Sequence, residues 1–298
     1  MRVFVTGASG WVGSAVVPEL INAGHHVVGL ARSEVSADTL AAAGAEVQRG
    51  SLQDLGSLQE GAAKSDGVIH LAFIHDFTQY DVATETDRRA IEAMGAALEG
   101  SDRPLVIASG VLTTAQGRPA TEEDPPAPEF PRSPAAVMTL ALAEKGIRSS
   151  VVRLPPTTHG QGDHGFISTI IGIARDKGVS GYVGDGSNVW SAVHRSDAAH
   201  VYRLVVEHAP AGSVWHAVAE VGVPTRSIAE VIGRHLDIPV VAIAPDKAAE
   251  HFGWIGAFWG ANAPASSAIT RHRLRWRPSG PTLLEDLEAR HYFASPNQ

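Results

Sequence analysis

The chain is predicted to be an α/β protein: a doubly wound parallel sheet with a smaller lobe built mainly from its C-terminal part. Short apolar runs alternate with helix-like stretches through most of its length. The first of those runs passes through a glycine-spaced turn directly into a helix. The last third changes character, with longer loops and a gathering of aromatic residues.

RVFVTG, HVVGLA, GVIHLAF, PLVIASG, SSVVRL and SVWHAV are apolar on successive residues, the pattern of strands covered on both faces. Between them, GSAVVPELINAG, ETDRRAIEAMGAALEG, SPAAVMTLALAEKG and SDAAHVYRLVVEHAP read as helices that end at Gly or Pro. Pro18 falls inside the first helix, removes a backbone bond to the Ser14 carbonyl and predicts a local bend. The proline-rich EEDPPAPEFPRSP is expected to be a surface loop. From Thr157 onward Trp190, Trp215, Trp254, Phe258 and Trp259 accumulate, as in a lobe folded onto the carboxyl edge of the sheet. Residues 1–156 are therefore read as the main domain and 157–298 as mainly the lobe, with 191–220 returning to the sheet.

With 298 residues, 44% hydrophobic and 19% charged, the composition is that of an ordinary globular protein. The net charge of −8 argues against nucleic acid or an anionic membrane as the main partner. There are no cysteines, which excludes disulfides, thiolate nucleophiles, Cys-ligated zinc and iron–sulfur clusters. No pair of the 14 histidines has helical His-x-x-x-His spacing beside suitable acids, so no metal site is expected. HFGWIGAFWGANAPASSAIT is too broken and polar to span a bilayer. No charged leader is read at the start, and a cytoplasmic location is expected.

VFVTGASGWVGSAV places Gly7, Gly10 and Gly13 between a strand and a helix. Gly7 permits the tight turn, Gly10 close approach to a pyrophosphate, and Gly13 close packing of helix on strand. The helix then presents free N–H groups to the phosphates. This makes the sheet Rossmann-type and the ligand a dinucleotide. At the end of the second strand, in HVVGLARSE, Ala31 stands where an acid would bind the adenosine ribose, and Arg32 follows. An arginine there pairs with a 2′-phosphate, which favours NADP, while the nearby Glu34 keeps NAD as the alternative.

TGASGWVG, GSLQD, GVIHLAF, LVIASG, VVRLPP and VHRSDAAH occur in this order, and the set resembles the extended or atypical short-chain dehydrogenase/reductase superfamily. More narrowly it resembles the NAD(P)-dependent epimerase/dehydratase branch, over roughly the first 220 residues, and RHRLRWRPSGPTLLEDLEAR is similar to that branch's C-terminal end. The resemblance implies that Gly7, Ser9, Gly10, Trp11, Val12 and Gly13 surround the pyrophosphate. Arg32 and Ser33 would meet the adenosine phosphate. Ser51 and Leu52 match an Asp-Leu pair after the third strand, with Ser in place of the acid. Leu71, Ala72 and Phe73 would line the dinucleotide, Ser109 matches the serine ending the fifth strand, and Leu154 and Pro155 would flank the nicotinamide.

The same resemblance implies a catalytic Tyr with Lys four residues later. The four tyrosines, Tyr80, Tyr182, Tyr202 and Tyr292, are followed at that spacing by Thr84, Gly186, Val206 and Pro296. PEFPRSPAAVMTLALAEKG, where the pair is expected, has no Tyr, and its basic residues are Arg132 and Lys145. Ser109 and His75 are then the candidates for catalysis: Ser109 to hydrogen-bond a carbonyl, or as a turn serine, and His75, beside Asp76, to donate a proton, or as a loop histidine. Tyr80 and Tyr182 are weaker alternatives, and His194 is read as structural. His159, His164 and Trp254 are candidate substrate contacts. Trp254, Phe258 and Trp259 form either core or an apolar pocket wall.

The leading function is an NADP-dependent oxidoreductase acting on a carbonyl or alcohol of a small, fairly apolar substrate. An epimerase or dehydratase is the alternative, and a non-catalytic NADP-sensing protein the third reading. The expected partner is a small molecule, with a homodimer left open.

Overall fold

Val3, Phe4 and Val5 are fully buried, as residues of a strand must be when helices cover both faces of its sheet. They belong to β1 (Arg2–Thr6), which is followed by α1 (Gly13–Asn22), β2 (His26–Ala31), α2 (Glu34–Ala42), β3 (Glu46–Arg49) and α3 (Leu55–Ala63). Next come β4 (Gly67–His70), α4 (Tyr80–Leu98), β5 (Pro104–Gly110), α5 (Ser133–Ala141) and β6 (Arg148–Leu154). The computed structural model describes residues 1–74, 79–111, 115, 117–128 and 130–293.

Beyond β6 lie β7 (Thr157–His159), α6 (Phe166–Lys177), β8 (Ser180–Val183), β9 (Val189–His194), α7 (Arg195–His208), β10 (Ser213–His216) and β11 (Glu220–Pro224). Then follow α8 (Thr225–Leu236), β12 (Val240–Ile243) and the short helices α9 (Ala248–Phe252), α10 (Gly256–Trp259), α11 (Ala268–Leu274) and α12 (Leu283–Glu288).

Seven strands form one parallel sheet in the order β10-β6-β5-β4-β1-β2-β3. On one face, Val16, Val17 and Leu20 of α1 pack with Val201, Tyr202 and Val205 of α7. On the other, Leu58 of α3, Ile91 and Met94 of α4 and Ala136 of α5 close the second core layer. The architecture is the predicted doubly wound, Rossmann-type one. Helix α1 runs on through Pro18, which is exposed.

The lobe has its own three-stranded sheet, β11-β9-β7, and a parallel pair, β12-β8. Its core gathers Trp190, Trp259, Ile170, Ile228 and Leu283. The return to the large sheet is made by α7 and β10, whereas β9 just before them belongs to the lobe. Both Asp197 oxygens accept backbone N–H bonds, from Ser279 and Gly280, each at 2.9 Å. This clamp ties the C-terminal tail to α7 and gives HRSDAAH a structural purpose.

EEDPPAPEFPRSP is less superficial than its prolines suggest. Glu122 and Asp124 are buried. Thr270 donates its N–H and hydroxyl to Glu122 Oε1 at 2.8 and 2.7 Å, and Thr121 donates its N–H to Asp124 at 2.7 Å. The carboxylates pull the segment inward because each satisfies backbone donors that would otherwise be buried unpaired.

Arg103 closes two helices at once. Its guanidinium donates to the carbonyls of Ala62, Ala63 and Ser65 at the end of α3 and to Ala97 O at the end of α4. These are carbonyls that a helix end leaves without partners. Arg103→Ala is expected to lower unfolding stability by about 2 kcal/mol, measured by urea melts, with no change in dinucleotide affinity.

Candidate functional site

The strand order reverses at β1, whose neighbours are β2 on one side and β4 on the other. The loops leaving β1 and β4 diverge there and open a crevice at the carboxyl edge. Gly7 has φ 65°, and a Cβ on it would stand 2.6 Å from the Ala72 nitrogen. A Cβ on Gly13 would stand 2.1 Å from the Gly7 carbonyl oxygen. Only glycine permits either approach. The Gly10 N–H donates to Gly7 O at 2.9 Å and closes the turn. Among the described residues nothing accepts from the N–H of Trp11 or Val12, both of which line the crevice. The loop is thus a cradle with no side chains in the way and donors to spare, which fits a dinucleotide's phosphates.

The crevice widens into a cavity of 560 Å³. Gly7, Gly10, Trp11, Val12 and Gly13 line one end; Leu71, Phe73 and Ala108 follow from β4 and β5; Leu154 and Pro155 come from the end of β6. The lobe contributes Asp163, His164, Phe166 and Trp254. Phe166 meets Trp190, Trp254 and Phe258 in tilted and edge-on contacts with ring centroids 5.6, 5.8 and 5.9 Å away, so an aromatic ladder runs from the lobe core to the cavity. The expected Trp254, Phe258, Trp259 stripe divides: Trp259 is core, while Trp254 and Phe258 are 54% and 37% exposed.

The remaining predicted residues lie elsewhere. Ser9 is exposed at the loop, and Ala72, which does not line the cavity, donates its N–H to Thr6 Oγ1 at 3.3 Å. Arg32 is exposed just past β2 and makes no ion pair among the described residues, whereas Glu34 is paired with Arg49. Ser33 caps α2 by accepting from Ser36 N. Ser51 accepts from Gln53 N and Asp54 N at 3.3 Å, and Leu52 packs on the core. Ser109 is 8% exposed and outside the lining, although its neighbour Ala108 is within it; successive strand residues face opposite ways. His159 does not reach the cavity. It is fully buried, and its Nδ1 meets Asp286 Oδ2 at 2.8 Å. His164, five residues on, does line the cavity, its ring 5.6 Å from that of Trp11. Tyr182 sits beneath Arg226, and Tyr80 begins α4 against Phe73. His75 and Asp76 lie outside the described residues.

A polar chain that the sequence patterns did not reveal runs beneath the cavity. Thr6 Oγ1 and His70 Nδ1 are 2.7 Å apart, His70 Nε2 and Asp87 Oδ1 3.1 Å, and Arg132 Nη2 donates to Asp87 Oδ2 at 3.3 Å. His70 and Asp87 are almost completely buried, and Arg132 reaches the cavity wall with its guanidinium 4.4 Å from the Phe73 ring centroid. Burial opposes ionisation of Asp87, but the Arg132 charge and the His70 hydrogen bond outweigh it and hold its carboxyl below the ordinary value. Asp163, on the lobe side, is pushed upward by burial, although it accepts from Gly165 N at 2.6 Å and from the Tyr292 hydroxyl at 3.0 Å. His70 and Asp87 stood in the runs GVIHLAF and ETDRRAIEAMGAALEG as a polar residue inside an apolar strand and a carboxylate on a helix, but only their meeting gives them meaning.

The model of the NAD dependent epimerase/dehydratase family matches residues 3–218. The chain belongs to the NAD-dependent epimerase/dehydratase family. An uncharacterised protein of Schizosaccharomyces pombe is 48% identical over 98% of this chain and 100% of its own length. A 4-hydroxy-2-methyl-3-oxo-4-farnesyl-3,4-dihydroquinoline-1-oxide ketoreductase of Stigmatella aurantiaca is 28% identical over 90% of this chain and 84% of its own. Among solved structures, the dTDP-glucose 4,6-dehydratase of Streptomyces venezuelae with bound NAD superposes with a TM-score of 0.77 at 19% identity, covering 97% of each chain. In this member of the epimerase/dehydratase family, PEFPRSPAAVMTLALAEKG, the stretch expected to carry a Tyr–Lys pair, includes Arg132, which stands immediately before α5.

Because Asp87 titrates below its unfolded value, its contribution to stability is complete above about pH 3.9 and disappears as the pH falls through the folded value. Asp87→Asn is expected to be less stable than the parent at pH 7 and to approach it below pH ~3, checked by thermal melts across that range.

Proposed function

We propose that the protein is an NADP-dependent oxidoreductase that interconverts a carbonyl and an alcohol on a small, fairly apolar molecule. The observation that carries this reading is the continuous cavity, which begins on the glycine loop and ends under the aromatic residues of the lobe. Gly7, Ser9, Gly10, Trp11, Val12 and Gly13 would hold the pyrophosphate. Arg32, exposed and unpaired among the described residues, would take the 2′-phosphate, while Ser33, Ser51 and Leu52 would border the adenosine. The alternative ribose ligand, Glu34, is already engaged by Arg49. Leu71, Ala72, Phe73, Leu154 and Pro155 would border the nicotinamide half.

When bound, the cofactor supplies hydride chemistry; the chain's own residues hold the substrate, exclude water and manage its charge. Phe166, Trp254 and Ile167 offer an apolar and aromatic wall. Among the described residues, no cluster of lysines and arginines lines the cavity to receive a sugar-nucleotide diphosphate. His164 is the imidazole that lines the cavity among the described residues. The ketoreductase among the relatives, whose named substrate carries a farnesyl group, supports keto reduction of an apolar compound.

Steady NADPH oxidation with a panel of aromatic and aliphatic ketones and aldehydes is the expected result. Conversion of substrate without net cofactor turnover would replace this reading with epimerase or dehydratase chemistry. Arg32→Ala is expected to weaken NADPH binding by about 10-fold or more and to leave NADH binding unchanged, as read by fluorescence titration; tighter NADH than NADPH binding by the parent overturns the NADP assignment.

A further inference from the structure

Arg132 is held in an unusual way for a cavity-lining cation. Its side chain is 16% exposed, and its guanidinium lies over Phe73. Nη2 donates to Asp87 at 3.3 Å. Nε is sealed from solvent and has no acceptor among the described residues. Nη1 is not among the sealed atoms and meets no acceptor among the described residues, so it is the donor left open.

Asp87 satisfies this charge only in part. Charge-assisted N–H···O bonds are usually about 2.7–2.9 Å, and the contact here is longer; the same carboxylate also serves His70. The other ionisable groups described in the lining are Asp163 and His164. Asp163 has both oxygens occupied, by the Gly165 N–H and the Tyr292 hydroxyl. The apolar side chains of the lining include Leu71, Phe73, Leu154, Ile167, Phe166 and Trp254, and its uncharged polar ones are Thr157, Thr158 and Thr169. A half-desolvated cation in an apolar chamber favours a ligand that brings its own anion.

We infer that Arg132 is the specificity-determining contact of the cavity and that it receives the carboxylate of an amphipathic organic acid, whose apolar body lies along Phe166 and Trp254. The substrate class is then a keto acid, or the corresponding hydroxy acid, with an apolar side chain. This deepens the oxidoreductase reading and rests on it for the ligand's reacting group, though not for the binding itself.

The test uses the purified protein saturated with NADP and two probes of one shape, 2-naphthoate and 2-naphthamide, titrated by calorimetry. The parent is expected to bind the carboxylate about 10-fold or more tighter than the amide. Arg132→Gln is expected to abolish that preference while leaving the NADP dissociation constant unchanged, and Arg132→Lys to retain part of it. Because Arg132→Gln strands the Asp87 carboxylate, the double variant with Asp87→Asn is titrated beside it, and the comparison on the parent needs no variant. Equal affinity of the parent for the two probes overturns the inference. So does a preference that survives in both glutamine variants, or a loss of NADP affinity in them with the preference intact, which would make Arg132 a cofactor contact. A carboxylate preference with no NADPH turnover of any keto acid sinks the oxidoreductase reading alone. Turnover of neutral ketones without the preference sinks this inference alone.

Discussion

A side chain at position 7 would put its first carbon 2.6 Å from the Ala72 nitrogen, and the whole carboxyl edge depends on that carbon being absent. The gap lets the loop after β1 lie directly against the end of β4. Gly13 repeats the arrangement one layer down, where α1 meets the Gly7 carbonyl. With both contacts made, the strand order can reverse at β1 and leave a crevice whose walls are backbone rather than side chain. Backbone donors are then the groups exposed at the first end of the cavity, which suits phosphates, while the far end is walled by side chains.

The lobe is joined to this edge by interleaving rather than by a linker. β9 belongs to the lobe sheet, yet α7, which follows without a break, packs on the large sheet, and β10 extends it. Asp197 then draws the tail back onto α7 through two backbone hydrogen bonds. The aromatic ladder from Trp190 through Phe166 to Trp254 passes from the lobe core to the cavity, so this part of the wall is anchored in a packed interior.

The buried Thr6–His70–Asp87–Arg132 chain answers to a different constraint. Burying a carboxylate is costly, and a buried ion pair adds little net stability compared with apolar packing. What it adds here is position. Asp87 and the Phe73 ring fix one guanidinium at the cavity wall. A guanidinium is a hydrogen-bond donor that stays charged across the whole physiological pH range, so its placement at the wall is a lasting electrostatic feature of the cavity.

Local pattern was enough to predict the sheet, its helices, the glycine loop and the family. Strand and helix periodicities and the Gly7–Gly10–Gly13 spacing are properties of neighbours in sequence, and each constrains the backbone where it stands. The edge strand β3 and helices α2 and α3 left fainter marks, because partial burial weakens the pattern. The meeting of side chains was decided only by the tertiary structure. His159 and His164 are five residues apart and looked equivalent; one is sealed against Asp286, the other lines the cavity. Ser109 and Ala108 are adjacent, and the pleat sends only one of them to the lining. Thr6, His70, Asp87 and Arg132 come from four separate elements. Nothing in their spacing announces a contact, because a hydrogen bond between distant segments exists only once the packing of the sheet and its helices has set their distances.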